Sequence, residues 1–246
     1  MPALIHAEIL ALRTVRSSWA VLFGTLLVTG VLAVRPVLGA GTAGAPSLGT
    51  AGALLAVLDA TAPGAWAMLL LGVLAASADV RHGTLTPVLL RTPRRVRFLV
   101  AKAVAVTIVS AAAAAAGSGV AVTTGIAGGA VRLSLLNPDI LLRATGLLLT
   151  YPVYGLAGVA VGALIRVQPI AVLLPIAWVL CLEGLALRLV PPAAVPWSVT
   201  GATASLAHAG YVTDVLPMAV GGTALLAYAV LLFAVGAAAL ARRDIT

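Results

Sequence analysis

The sequence predicts an all-α integral membrane protein: six transmembrane helices behind an N-terminal interfacial helix. Three observations predict it. Apolar residues make up 62% of the chain and charged ones 9%, with a mean hydropathy of +1.15, a composition that no soluble core requires. The apolar content is mostly Ala, Val, Leu and Gly with few aromatics, which suits helices packed closely in lipid. The charges are concentrated, with Arg81, Arg91, Arg94, Arg95, Arg97 and Lys102 standing between two long apolar runs. A central Arg or Lys costs about 2.5 to 3.5 kcal/mol on membrane-insertion scales, so the stretch Asp79 to Lys102 is a loop outside the hydrocarbon.

Residues 1–17 carry Glu8, Arg13 and Arg16 ahead of the first long apolar run, without the order of a secretory signal. They read as an interfacial helix: Ile5, Ile9 and Leu12 share one arc, although Glu8 falls inside it. The first span is expected over 18–34, closed by Arg35-Pro36, and a loop rich in Gly, Ala, Ser and Thr follows over 39–52. The second apolar run, 54–78, is interrupted by Asp59, placed near the far interface, and by Pro63-Gly64. A third span is expected over 98–122, with the run Ala111 to Ala116 allowing close helix approach and Lys102 snorkelling to the interface. The turn signals Gly128-Gly129 and Asn137-Pro138 separate it from a fourth span over 141–165. After a short link at 166–169 the fifth span covers 170–189 and contains Glu183, with Arg188 behind it. The outer loop, 190–217, shows no clear span and has room for short interfacial or re-entrant helices; the sixth span, 218–241, is closed by Arg242-Arg243.

Six crossings put both termini on one side. Of the 15 basic residues, 11 fall on that side, and only Arg35, Arg132, Arg143 and Arg188 fall on the other. The positive-inside rule therefore expects cytoplasmic termini.

The composition also excludes function classes. The net charge of +8 sits between apolar runs rather than along a soluble face, so the membrane explains it better than nucleic acid does. Cys181 is the only cysteine, and His6, His82 and His208 show no ligand spacing, so neither a disulfide nor a metal site is expected. No Gly-x-x-x-x-Gly-Lys-Ser/Thr loop occurs, so this chain is not expected to hydrolyse ATP. No Gly-x-Ser-x-Gly elbow and no close pair of carboxylates supports a catalytic residue, so an enzyme is not expected.

The basic loop has two readings. In the simpler one it sets topology and touches anionic lipid. In the sharper one, Asp79-Val80-Arg81-His82-Gly83-Thr84 ends a helix at Gly83, and Thr92-Pro93 starts a second short helix with Thr92 as cap. An apolar stripe of Leu85, Val88 and Leu89 beside the arginines would then form a docking surface for another protein.

Here the sequence resembles the type-2 ATP-binding-cassette permeases, in particular the compact six-span exporter subunits of actinobacteria. Glu8 followed by Leu12-Arg13-Thr14-Val15-Arg16-Ser17-Ser18-Trp19 is similar to that family's amphipathic N-terminal helix. An acid at Asp79, then Arg81-His82-Gly83-Thr84 and Thr92-Pro93-Arg94-Arg95, is similar to its second cytoplasmic loop, with Asp79 where Glu is more usual. Glu183 and the following Pro196 make a weaker third match. The resemblance implies that 79–97 holds a coupling helix contacting two copies of a separate cytoplasmic ATPase, which would carry ATP and Mg; this chain would hold no cofactor. It also implies a second copy of this permease, or a similar one, in a bacterial plasma membrane.

Glu183 reads either as an interfacial carboxylate paired with Arg188 or as part of an outer gate. Asp59, beside Pro63-Gly64, reads as a helix-end residue, and the spacings Gly125/Gly129 and Gly158/Gly162 fit close helix crossings. Spans of Ala, Val, Leu and Gly favour a hydrophobic or amphipathic cargo such as a drug, antibiotic or lipid. The rivals are a secondary transporter without an ATPase and a non-transporting membrane or immunity subunit. The acids stand toward span ends, which argues against the former.

Overall fold

The computed structural model describes residues 1–40, 42, 47–59, 61–81, 95–129, 138–165, 167–207 and 215–242, without the side chains of 51, 79–81, 179 and 180. The chain is α-helical, and no strand occurs among the described residues. In order come α1 (Pro2–Thr14), α2 (Arg16–Leu38), α3 (Ala51–Asp59), α4 (Gly64–Arg81), α5 (Arg95–Ala127), α6 (Pro138–Leu164) and α7 (Gln168–Ala177). A π-helical turn (Trp178–Leu182) joins α7 to α8 (Glu183–Leu187); a 3₁₀ turn (Pro192–Trp197), α9 (Val199–Ala207) and α10 (Met218–Arg242) complete the fold. Among the described residues, five helical runs are long and apolar enough to cross a membrane: α2, the run Gly52–Ala78 made of most of α3 and α4, α5, α6 and α10.

Contacts fix the helix directions. Ser110 lies against Gly155 and Gly117 faces Tyr151, so α5 and α6 run antiparallel. Gly64 meets Tyr151, Gly158 meets Leu69 and Gly162 meets Val73, so α4 runs parallel to α6. Gly30 packs on Val120 and Gly128 on Val37, which makes α2 parallel to α5. Leu206 touches both Gly146 and Gly222, and Gly236 touches Ala160, so α10 also runs with α6. Because α6 and α10 share a direction, the chain between them must return, and the helical run 168–187 and α9, which runs opposite to α6, both lie on that return.

Small residues make the crossings tight. A Cβ on Gly162 would meet the Val73 carbonyl oxygen and Ala76 Cβ at 2.8 Å, and Gly72 and Gly158 face opposing backbone in the same contact. In lipid, where apolar surface gains nothing by leaving its solvent, such backbone approach supplies the packing that holds helices together. Of the spacings marked in the sequence, Gly158/Gly162 lies in this crossing, whereas Gly129 is the left-handed residue after the last turn of α5, with φ +72°. In the alanine run, Ala113 and Ala114 are buried and Ala112, Ala115 and Ala116 are exposed, so only one edge of it packs.

Several elements differ from the sequence expectations. The first span runs on through Pro36 to Leu38, because a proline near a helix end removes few bonds. The second apolar run is two helices, broken at Thr61–Pro63. The expected fifth span over 170–189 is a ten-residue helix, a π turn and a five-residue helix rather than one regular span, with Pro175 just ahead of the irregularity. The stretch 190–217, expected to be an outer loop, holds α9, buried from Gly201 to Ala207. It runs opposite to α6, with Thr203 beside Tyr154 and Leu206 beside Gly146.

Candidate functional site

Polar groups collect at two levels of the bundle. At the first, Lys102 Nζ donates to Glu8 Oε2 at 2.5 Å, with both side chains largely buried. The ammonium also stands 5.1 Å from the Phe98 ring centroid. Lys102 therefore does not snorkel; it turns onto α1, and its pairing explains why Glu8 shares an arc with Ile9 and Leu12. Beside it, Arg95 donates to the Leu240 carbonyl at 3.3 Å and Trp19 Nε1 to the Arg13 carbonyl at 2.7 Å. The start of α5 is thus tied to both chain ends.

At the second level, Arg143 pairs with Asp59, and Tyr151 Oη donates to the Thr61 carbonyl at 2.8 Å. Asp59 closes α3, at a helix end as the sequence expected, and there it also neutralises a buried guanidinium, because Arg143 is only 7% exposed. Lys102, eight residues before Ser110, comes level with residue 163 of α6. Arg143 is then about 20 residues, or roughly 30 Å, away along the bundle. That is the thickness of a hydrocarbon core.

Glu183 lies between the two levels. It is buried and accepts from the Thr200 backbone N–H at 2.7 Å and from Thr200 Oγ1 at 2.8 Å. Arg188 is exposed, and the two bonds of the carboxylate go to Thr200. The carboxylate caps the N-terminus of α9 from another element, where the backbone N–H groups and helix dipole favour negative charge. Ser198 caps the same end through the Gly201 N–H at 2.9 Å. Thr200 comes level with about residue 152 of α6, roughly 14 Å from Arg143. An acid toward the end of its own segment thus sits about half-way through the bundle, next to a π turn, a feature frequent at functional sites.

Two cavities meet at Trp66 and Tyr154, whose rings stand edge to face with centroids 4.8 Å apart. The larger, about 560 Å³, is walled by Leu69, Val161, Leu225 and Leu232 and by the aromatic rings of Trp178 and Tyr228. The smaller, about 260 Å³, is lined by Asp59, Pro63, Thr200 and Thr203. Tyr154 Oη and Thr203 Oγ1 are 2.8 Å apart at the boundary. The larger cavity is thus apolar and of a size that takes small molecules, and the smaller is mostly apolar with one carboxylate and three hydroxyls in its wall.

Of the residues singled out in the sequence, Glu8, Arg95 and Glu183 hold the positions just given. Arg13 and Arg16 are exposed around the α1–α2 junction. His82, Gly83, Thr84, Thr92, Pro93 and Arg94, with the side chains of Asp79 and Arg81, lie outside the described residues, and so does the expected coupling helix between them. Trp66, Tyr154, Thr200, Thr203 and Arg143 were not singled out as site residues. The available signal was scarcity, since aromatics are 4% of the chain, but nothing in sequence spacing brings residue 66 to 154 and 203. Among the described residues no three of His, Cys, Asp and Glu converge on a metal position. No family model matches the chain, and no curated protein matches it.

Proposed function

We propose that this chain is the membrane-spanning permease subunit of an ATP-driven exporter of the type-2 ATP-binding-cassette kind. It crosses a bacterial plasma membrane six times with both termini in the cytoplasm. It pairs with a second copy or a similar permease, and two separate ATPase subunits, carrying ATP and Mg, dock on the segment 79–97. Six crossings are supported by the shared direction of α6 and α10, and the sidedness by the arginine bias.

The observation that carries this reading is the Glu8–Lys102 pair. It locks the amphipathic α1 to α5 just after the basic loop, while α4, on the loop's other side, interlocks with α6. A push on the loop would therefore move α4 and α5 as levers on the bundle and bias it between two states, which is the physical content of coupling. Outer gating falls to Glu183, whose hold on α9 can be made or broken. The cargo is hydrophobic or amphipathic. Energised vesicles test the reading: export should need ATP and survive collapse of the proton gradient.

A second reading, the secondary transporter, gains from one specific observation. Glu183 is buried about half-way through the bundle beside an irregular helix, which is where such transporters keep ionisable groups. Transport abolished by an ionophore at constant ATP would favour it.

A further inference from the structure

We propose that the larger cavity, walled by α4, α6, α7 and α10, is a binding site within a single subunit for one uncharged, ring-bearing apolar molecule taken up sideways from the bilayer. The inference deepens the exporter reading by giving the cargo a place and a chemical class, but binding can be read without any ATPase. Three observations carry it. The first is position. On α6 the wall runs from Val153 to Val161, between Arg143 and the level of Lys102 near residue 163, so the cavity lies within the hydrocarbon. Tyr154, Leu225 and Ala229 form a buried floor, whereas Leu174, Trp178, Leu182 and Tyr228 are exposed at the rim. The opening therefore faces lipid, with α7 and its π turn on one side and α10 on the other.

Second, the wall suits an uncharged guest. None of the described residues lining it is charged, and its two tyrosine hydroxyls already have protein partners: Tyr154 Oη stands 2.8 Å from Thr203 Oγ1, and Tyr228 Oη donates to the Trp197 carbonyl at 2.7 Å. An ion placed there would lose its water and find no countercharge. At about 560 Å³ the space is in the range of small-molecule sites, and an apolar wall does not hold ordered water against a guest.

Third, the wall prefers rings to chains. Trp66, Tyr154, Trp178 and Tyr228 put four aromatic rings around the space, and rings gain from stacked or edge-to-face contact beyond the area they bury. A lipid acyl chain offers no such contact and stays tethered to a headgroup at the interface, so the occupant is a free molecule rather than a lipid of the bilayer. The π turn gives this site Trp178 and Leu182. Pro175, just ahead of it, lines both this cavity and a space of about 190 Å³ between α7 and α4. Two gaps beside one short, proline-containing helix leave it room to shift as a guest enters.

Titration of the protein in liposomes with N-phenyl-1-naphthylamine, an uncharged fluorescent probe, tests this. Energy transfer from the protein's tryptophans to the probe is read, with protein-free liposomes as reference. A saturable component of one probe per chain is expected above the linear partition into lipid. The sulfonated isostere, 8-anilino-1-naphthalenesulfonate, should compete at least about tenfold more weakly, because its charge finds no partner in the wall. Ala157→Phe and Ala229→Phe, each of which fills the cavity from a different helix, should each abolish the saturable component while keeping the parent elution profile. No saturable transfer with the unmodified chain, as when lipid chains hold the cavity, would overturn the proposal. Equal competition by the sulfonate, or undiminished affinity in a folded Ala157→Phe or Ala229→Phe protein, would overturn it too. Failure here with ATP-driven export intact would remove this site and leave the exporter reading; binding here without ATP-driven export would do the reverse.

Discussion

Lys102 and Glu8 stand 94 residues apart in sequence and 2.5 Å apart in space, joining the N-terminal helix to the start of α5. Both side chains are largely out of solvent, so removing one leaves the other charged, buried and deprived of that bond. A single neutralisation, Glu8→Gln or Lys102→Met, should cost about 3 to 5 kcal/mol. The double substitution should recover much of that loss, because no charge remains stranded. Unfolding midpoints of the four proteins in one detergent measure this. Single variants as stable as the parent would show that the pair carries no structural weight.

Glu183 should act as the latch of α9. Glu183→Ala removes the acceptor of the Thr200 N–H and hydroxyl, at about 1 to 3 kcal/mol for each buried group left unsatisfied. A cysteine placed at Ser205, which is fully buried in α9, reports the result in a Cys181→Ala background. The parent should protect it from a maleimide, and Glu183→Ala should expose it several-fold faster. Glu183→Gln, which still offers one carbonyl oxygen, should fall between them. Identical labelling rates in all three would remove Glu183 from any gating role.

The α4–α6 crossing should tolerate no side chain at its glycines. Gly158→Val and Gly72→Val force a methyl-bearing carbon into opposing backbone, and overpacking of this kind costs about 1 to 3 kcal/mol or more. Fluorescence-detected size exclusion should show lost monodisperse protein. Gly24→Ala and Gly184→Ala, where nothing lies within 4 Å of the new carbon, should keep the parent profile or improve on it slightly. A normal profile for Gly158→Val would contradict the helix contact described here.

These outcomes bear on how far the sequence could be read. Long apolar runs and clustered arginines carried the helical class and the approximate limits of most spans, because length and charge act locally. The break at Thr61–Pro63 was legible for the same reason: proline and glycine mark it in place. The irregularity at Trp178–Leu182 was not, since the run around it is uniformly apolar and Pro175 stands ahead of the π turn rather than in it. Pairings were hidden most deeply. Glu8 looked like a flaw in an amphipathic arc, Lys102 like a snorkelling residue and Asp59 like a helix cap, because each depends on a partner far along the chain. Trp66, Tyr154 and Thr203 meet only through the close approach of α4, α6 and α9. That approach rests on glycines whose spacing alone does not distinguish a crossing from chance.

The central claim, that a separate ATPase docks on the basic loop, is tested most directly by co-purification. The protein is drawn from its native membranes in mild detergent, and bound partners are identified by mass spectrometry, with and without crosslinking. The experiment is repeated with Arg94 and Arg97 changed to Glu. Arg95, whose reversal with Arg94 would probe the docking surface expected from the sequence, is left in place because it bonds the Leu240 carbonyl and its loss would disturb α10. The account predicts an ATPase subunit bound to the parent and lost from the variant, with the variant's insertion and elution unchanged. No ATPase on the parent, even after crosslinking, would contradict the account and move the secondary transporter into its place.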